Sequence, residues 1–136
     1  MAAQDDDIRP GEVRATTDPA TAPPDAGIVF IGRIRSPWPP RADGPRNNAA
    51  ARARAAPAEL EIDPALRQGL TGLSAGDHHI AIYWMNAAPR DLVIQKPHRR
   101  PEPTGVFSLR SPARLNPIDL AAVESIALDQ AAGRST

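Results

Sequence analysis

The chain has 136 residues, of which 16 are proline and none is cysteine, and its 16 basic and 16 acidic residues give a formal net charge of zero. This length accommodates one domain, and the proline content argues against coiled coils and long helices. The lack of cysteine excludes disulfide scaffolds, thiolate metal sites and a cysteine nucleophile. The acidic start disfavours export and no apolar run reaches the ~20 residues of a membrane helix, so we predict a cytoplasmic protein without membrane contact.

The charge is divided unevenly along the chain. Residues 1–26 hold six acids and two bases, whereas residues 27–114 hold thirteen bases and seven acids. Residues 1–26 also lack helical or strand periodicity, which is typical of disorder. We therefore predict a disordered acidic tail over residues 1–26 and one folded domain over residues 27–136.

The first half of this domain predicts two strands, a loop and a short helix. Gly27–Ile34 is β-branched and ends before a cluster of prolines, which predicts a buried strand. Arg41–Ala58 lacks large apolar side chains and predicts a long basic loop. Ala58–Asp63 alternates apolar and polar residues as a half-buried strand does. Asp63 and Pro64 then favour the start of a short helix that ends near Leu73.

The second half predicts three strands and one ambiguous segment. His78–Asn86 is the most apolar stretch and predicts a central strand buried on both faces. Residues 91–96 and 105–111 predict two more strands. Residues 117–129 score as a helix by their cap and spacing but also suit a final strand, and both alternatives stay open. Short strands joined by long proline-rich loops, with one short helix, predict a mainly β protein folded as a small single β-barrel.

Common catalytic signatures are missing from the chain. It contains neither the glycine-rich dinucleotide motif nor a P-loop. His78 and His79 are neighbours on a predicted strand and therefore point to opposite faces, so we expect no metal site. Ser74, Asp77 and His78 lie too close together for a hydrolase triad. Two arginine-bearing turns, residues 44–48 and 110–116, remain as candidate binding sites. Their donors suit a carboxylate or a phosphate, and the alternative is that these arginines form a solvated or ion-paired surface.

Six ordered motifs resemble the TsaA/TrmO family, over about Ile28 to Leu128. They are Ile31–Pro37, Pro45–Asn47, Leu73–Asn86, Arg90–Leu92, Gly105–Pro112 and Asn116–Ile118. The resemblance implies a single β-barrel, a homodimer and an S-adenosylmethionine-dependent tRNA methyltransferase. Such enzymes methylate N6 of threonylcarbamoyladenosine at position 37, beside the anticodon. It thus implies S-adenosylmethionine as cofactor and the tRNA anticodon stem-loop as partner.

The resemblance also implies site residues. The family's cofactor contacts fall on Pro45, Arg46, Asn47, Asn48, Asn86, Ala87, Arg110 and Leu120. His78 matches a characteristic strand histidine, which either accepts the N6 proton as a catalytic base or is a core histidine hydrogen-bonded to backbone.

Three departures from the family pattern support a second hypothesis. Leu115 replaces a proline, and Asp119 replaces a small residue. The chain also ends before the Asp-Gly-Thr-Pro segment that closes the family's site. The alternative function is therefore a catalytically lapsed TsaA-like barrel that serves as an RNA-binding or cofactor-sensing module. With five aromatic residues in the chain, we expect RNA affinity to be mainly electrostatic.

Overall fold

The structure is a computed structural model that describes residues 8–38, 48–54, 56–97 and 100–136. The protein is mainly β with few helices, as predicted. Its chain divides into two compact units, Met1–Ala26 with Ala81–Ala121 and Gly27–Ile80 with Ala122–Thr136. The strands of the described ranges form three separate small sheets and no closed barrel, so the single barrel stays a prediction.

The first unit contains an antiparallel sheet in the order β1-β5-β6. Its strands are β1 (Val13–Arg14), β5 (Leu92–Gln95) and β6 (Thr104–Gly105), and it also has 3-10 helices at Pro19–Thr21 and Val106–Ser108. Leu92, Val106 and Ala113 form its buried apolar cluster.

The strand predicted over residues 105–111 is wrong beyond Gly105. A 3-10 helix, Val106–Ser108, follows β6 directly. The Ser108 hydroxyl donates to the Gly105 carbonyl at 2.8 Å, and the Leu109 amide donates to the Val106 carbonyl. These local hydrogen bonds satisfy backbone groups that, in a strand, would have to pair with a neighbouring strand.

Part of the predicted N-terminal tail is paired with the first unit. Val13 lies opposite Ile94 in β5. The Glu12 carboxylate accepts a hydrogen bond from the Lys96 amide at 3.0 Å, and Arg14 forms an ion pair with Asp91. Glu12 and Arg14, two of the polar residues that favoured disorder, thus bind this unit through a hydrogen bond and an ion pair. The domain boundary at residue 26 stays a prediction.

The second unit contains an antiparallel sheet in the order β2-β3-β9-β8. Its strands are β2 (Gly32–Arg35), β3 (Glu59–Ile62), β8 (Leu128–Asp129) and β9 (Arg134–Ser135). The strand predicted at Ala58–Asp63 is confirmed as β3. The predicted short helix is a 3-10 helix, Pro64–Leu70.

The long basic loop predicted over Arg41–Ala58 is wrong for its middle part. Residues Asn48–Ala53 form a helix, α1. Four of its six residues are alanine, which has the highest helix propensity, and this local preference outweighs the lack of an apolar face. Residues 39–47 lie outside the described part of the chain.

The apolar segment before β2 is exposed, so its predicted burial is wrong. Strand β2 begins only at Gly32, and Ile28, Val29, Phe30 and Ile31 are all exposed, Val29 by 88%. Strand β2 is the outer strand of its sheet. An outer strand lacks a neighbour on one side, and among the described residues nothing covers the segment that leads into it.

Strands β4 (His78–Trp84) and β7 (Ile118–Glu124) form the third sheet. Burial of β4 on both faces is wrong, because exposure alternates along it and Ile80 and Ile82 are 65% and 72% exposed. The ambiguous C-terminal segment is a strand. The Met85 amide donates to the Pro117 carbonyl at 2.8 Å where β7 begins, so pairing with a distant segment selects strand over helix.

Candidate functional site

The structure describes only some of the predicted site residues. Pro45, Arg46 and Asn47 lie outside the described residues, and Asn48 is the first residue of α1. Asn86 and Ala87 lie in a turn after β4, which is closed by a hydrogen bond from the Ala88 amide to the Met85 carbonyl. The remaining predicted residues can be placed through their hydrogen bonds.

Arg110 and Leu120 lie in contact. Arg110 Nη2 donates to the Leu120 carbonyl at 2.7 Å, so the guanidinium is anchored on β7. The structure therefore brings together two residues that the resemblance assigns to one cofactor site. The contact uses one of the five N–H donors of the guanidinium, and the others suit an anion.

Two further arginines of the first unit are anchored in the same manner. Arg90 Nε donates to the Leu115 carbonyl at 2.9 Å, and Arg114 Nη2 donates to the Ile118 carbonyl at 3.0 Å. Backbone carbonyls between residues 115 and 120 thus hold three guanidiniums. Anchoring reduces the side-chain entropy that these guanidiniums would lose on binding an anion.

A tyrosine and an aspartate lie beside the anchored Arg110. The Tyr83 hydroxyl donates to Asp119 Oδ2 at 3.3 Å, and the Leu120 amide donates to Asp119 Oδ1 at 2.8 Å. Burial raises the pKa of Tyr83, the Asp119 charge and hydrogen bond raise this pKa further, and Arg110 lowers it. Asp119, noted above as a departure from the family pattern, thus bonds Tyr83 and the amide of Leu120, whose carbonyl anchors Arg110.

We expect the Asp119→Asn and Arg110→Ala variants to move the Tyr83 pKa in opposite directions. Loss of the Asp119 charge lowers the pKa because the tyrosinate is no longer repelled, whereas loss of Arg110 raises it because the tyrosinate loses an attraction. Tyr83 is the only tyrosine of the chain, so an ultraviolet absorbance titration measures this group alone.

Asp91→Asn is the control for this titration, because Asp91 is paired with Arg14. It should leave the Tyr83 pKa unchanged. Shifts in the same direction for Asp119→Asn and Arg110→Ala would contradict the arrangement.

His78 lies at the surface and is not a core histidine. Its side chain is 75% exposed, and its Nε2 atom lies 3.8 Å from Glu124 Oε2. The neighbouring His79 is part-buried instead: its Nε2 atom is 2.7 Å from the hydroxyl of buried Ser125, which is 2.7 Å from the Ser135 hydroxyl. Strand alternation showed that the two histidines face opposite ways, but not which one faces inward.

The described ranges contain neither a metal-ligand cluster nor a helix suited to span a membrane. No group of three or more histidine, aspartate or glutamate side chains is arranged there to hold a metal ion. No helix in the same ranges has the length and apolar character needed to cross a membrane.

Sequence comparisons identify relatives of this chain. VirR of Rhizobium radiobacter, a probable S-adenosyl-L-methionine-binding protein, is 37% identical over 100 residues, which are 74% of this chain and 55% of VirR. A probable S-adenosyl-L-methionine-binding protein of Methanothermobacter thermautotrophicus is 35% identical over 94 residues, 69% of this chain and 66% of that protein. An S-adenosyl-L-methionine-binding protein of Archaeoglobus fulgidus is 36% identical over 100 residues, 74% of this chain and 70% of that protein.

The alignments cover most of this chain but only part of the length of some relatives. The alignment covers 55% of VirR and 66% of the Methanothermobacter protein. Residues 33–133 match the tRNA-methyltransferase O N-terminal domain, TrmO_N. This match spans most of the chain and includes Asn86, Arg110 and Leu120. The chain therefore belongs to the tRNA-methyltransferase O N-terminal domain family.

Proposed function

We propose that this chain is an S-adenosylmethionine-dependent tRNA methyltransferase that acts on N6 of threonylcarbamoyladenosine at position 37. Family membership supports the class of reaction, and relatives named as S-adenosyl-L-methionine-binding proteins support the cofactor. The observation that carries the proposal is Arg110, anchored on the Leu120 carbonyl with donors left for an anion. A cytoplasmic location goes with this proposal.

The described residues fit the chemical groups of S-adenosylmethionine. The Arg110 guanidinium suits its carboxylate. The Asn86 amide suits the ribose hydroxyls, and the rings of Tyr83 and Trp84 suit the adenine face. In this proposal Pro45, Arg46, Asn47, Asn48, Ala87 and Leu120 complete the site.

The protein's contribution to methyl transfer would be mainly positional. When bound, S-adenosylmethionine supplies an electrophilic methyl group on a positively charged sulfur. The chain's part is to hold the acceptor nitrogen in line and to exclude water, which needs no metal. His78 is the proposed base for the proton that N6 loses, and its exposed imidazole is accessible to a substrate.

The direct test measures methyl transfer and cofactor binding separately. Calorimetry determines S-adenosylmethionine affinity, and transfer of a radiolabelled methyl group is followed with tRNA that either carries or lacks the threonylcarbamoyl group. We expect saturable cofactor binding and labelling of the modified tRNA only. A protein that binds no cofactor, or that labels both tRNAs equally, would contradict the proposal.

Asp119 favours one alternative function, a lapsed TsaA-like module that binds RNA or senses the cofactor. Its carboxylate lies beside the anchor of Arg110, where like charge would weaken the binding of the cofactor's carboxylate. The same two measurements distinguish the alternatives. Cofactor or RNA binding without any methyl transfer would support the lapsed module.

The exposed apolar segment of the second unit supports the homodimer that belongs to this proposal. Ile28, Val29, Phe30 and Ile31 are consecutive and exposed, and they lead into the outer strand β2. Contiguous apolar surface of this kind marks association sites, and an outer strand offers unpaired backbone groups to a second copy.

We expect Val29→Asp to weaken dimerisation at least about tenfold, because a buried interface would then contain an unpaired carboxylate. Light scattering over a concentration series measures the change. Ile126→Asp is the control, since Ile126 is exposed in the same unit but lies outside this segment. A parent protein that is monomeric, or a Val29→Asp dimer of unchanged affinity, would contradict the proposed interface.

A further inference from the structure

An open cleft of about 200 Å³ lies within the first unit, and the proposed cofactor site does not use it. Leu92 and Val106 of the buried cluster line it, and Ala15 and Thr17 of the N-terminal segment form part of its wall. Residues 15 and 17 precede the region that matches the family, which begins at residue 33. These two wall residues therefore lie outside the part of the chain that matches the family.

Phe107 lines this cleft with an almost fully exposed ring. The 3-10 helix directs Val106, which is 2% exposed, into the core and leaves Phe107 90% exposed. Hydrogen bonds of Ser108 and Leu109 hold the helix, so the backbone from which the Phe107 ring projects is ordered. The exposed ring offers a face on which another planar group can stack.

Arg90 adds an anchored positive charge to the same cleft. Its Nε donates to the Leu115 carbonyl, and its guanidinium lies 5.4 Å from the centre of the Trp84 ring. The only acid lining the cleft, among the described residues, is Asp91, and it is ion-paired with Arg14. Among the described residues the cleft thus combines an apolar floor, an exposed aromatic ring and the Arg90 cation, and its one lining acid is paired with another arginine, Arg14.

We propose that this cleft binds one unstacked base of the RNA substrate, with Phe107 stacking on the base and Arg90 contacting an adjacent phosphate. The inference rests on the proposed function and adds a specificity-determining contact to it. An apolar floor and an exposed aromatic face suit a nucleobase, and an anchored arginine suits the phosphate that every nucleotide carries. The Thr17 hydroxyl can donate to or accept from the base edge.

The test uses the full chain and a tRNA anticodon stem-loop with the fluorescent base 2-aminopurine at position 37 or at a neighbouring loop position. Transfer of the base from the loop stack to Phe107 changes the fluorescence. We expect Phe107→Ala to weaken RNA binding about tenfold and to abolish this fluorescence change, as loss of one base stack does. The labelled position at which the fluorescence changes identifies the base as the methylated one or its neighbour.

Three further variants sharpen the test. Ile126→Ala is the control, because Ile126 is exposed in the other unit and lies outside both the cleft and the apolar segment proposed for dimerisation. Thr17→Trp should weaken RNA binding by filling the cleft while Phe107 stays in place. Arg90→Ala should reduce the dependence of log affinity on log salt by about one phosphate contact. Melting temperatures close to the parent's show that the variants fold.

The cofactor titration separates this inference from the function on which it rests. An S-adenosylmethionine affinity unchanged in Phe107→Ala, together with weakened RNA binding, supports the base cleft. Unchanged RNA binding in Phe107→Ala, or no fluorescence change at any labelled position, overturns the inference while methyl transfer by the parent upholds the function. A loss of cofactor affinity in Phe107→Ala overturns it too, because the ring would then serve the cofactor. A parent that binds no RNA overturns both.

Discussion

Arg110→Ala is expected to lower the affinity for S-adenosylmethionine about 10- to 100-fold. A hydrogen bond to a charged group contributes about 1.5–3 kcal/mol, and Arg110 is the residue proposed above to bind the cofactor's carboxylate. The Leu120 carbonyl that it releases lies on an exposed residue and can bind water instead. Calorimetric titration of the variant and the parent measures the difference, and a small change in melting temperature would show that the fold is retained.

Two variants control this experiment. Arg110→Lys keeps the charge but loses the planar pair of donors, so it should bind with an affinity between those of parent and alanine variant. Arg134→Ala removes another exposed arginine, one that lies 3.9 Å from Glu59 in the other unit, and should bind as the parent does. Equal affinities for the parent and Arg110→Ala would remove Arg110 from the cofactor site.

Gly32→Ala is expected to lower the free energy of unfolding by about 3 kcal/mol, at the upper end for overpacking. A Cβ atom at position 32 would collide with the backbone carbonyl oxygen of Glu61 and lie 3.0 Å from the Cα atom of Ile62. Both belong to β3, which pairs with β2 in fixed antiparallel register. Because the obstacle is backbone, the two strands must separate. Urea denaturation followed by circular dichroism measures the loss.

Gly27→Ala is the matched control, since nothing lies within 4 Å of a Cβ atom at position 27. It should leave stability unchanged or raise it slightly, because alanine restricts the unfolded chain more than glycine does. If the two variants were equally stable, the close approach of β2 and β3 at Gly32 would be disproved.

The predicted elements that the structure confirms carry strong local signals. The alternation over Ala58–Asp63 corresponds to β3, and proline after Asp63 marks the start of the 3-10 helix Pro64–Leu70. Local signals were insufficient at residues 105–111, where a strand was predicted. There the Ser108 hydroxyl and a backbone turn provide the hydrogen bonds instead.

The candidate site was predictable only in part. The resemblance assigned Arg110 and Leu120 to one site, and they lie in contact. Sequence alone marks Asp119 only as a departure from the family pattern and does not link it to Tyr83. Their hydrogen bond joins residues 36 positions apart, and no spacing rule within one strand indicates such a pair.

The sequence by itself determined the mainly β class, the positions of β3, β4 and β5, and the family, because propensity, alternation and ordered motifs are properties of neighbouring residues. Tertiary structure alone decided that Val13–Arg14 joins a sheet, that Ile118–Glu124 is a strand and that Ile28–Ile31 is exposed. Each of these depends on whether a distant segment pairs with or covers the residues in question. Hydrogen-bond partners and burial are set by such long-range contacts, so a local pattern can permit them but cannot select among them.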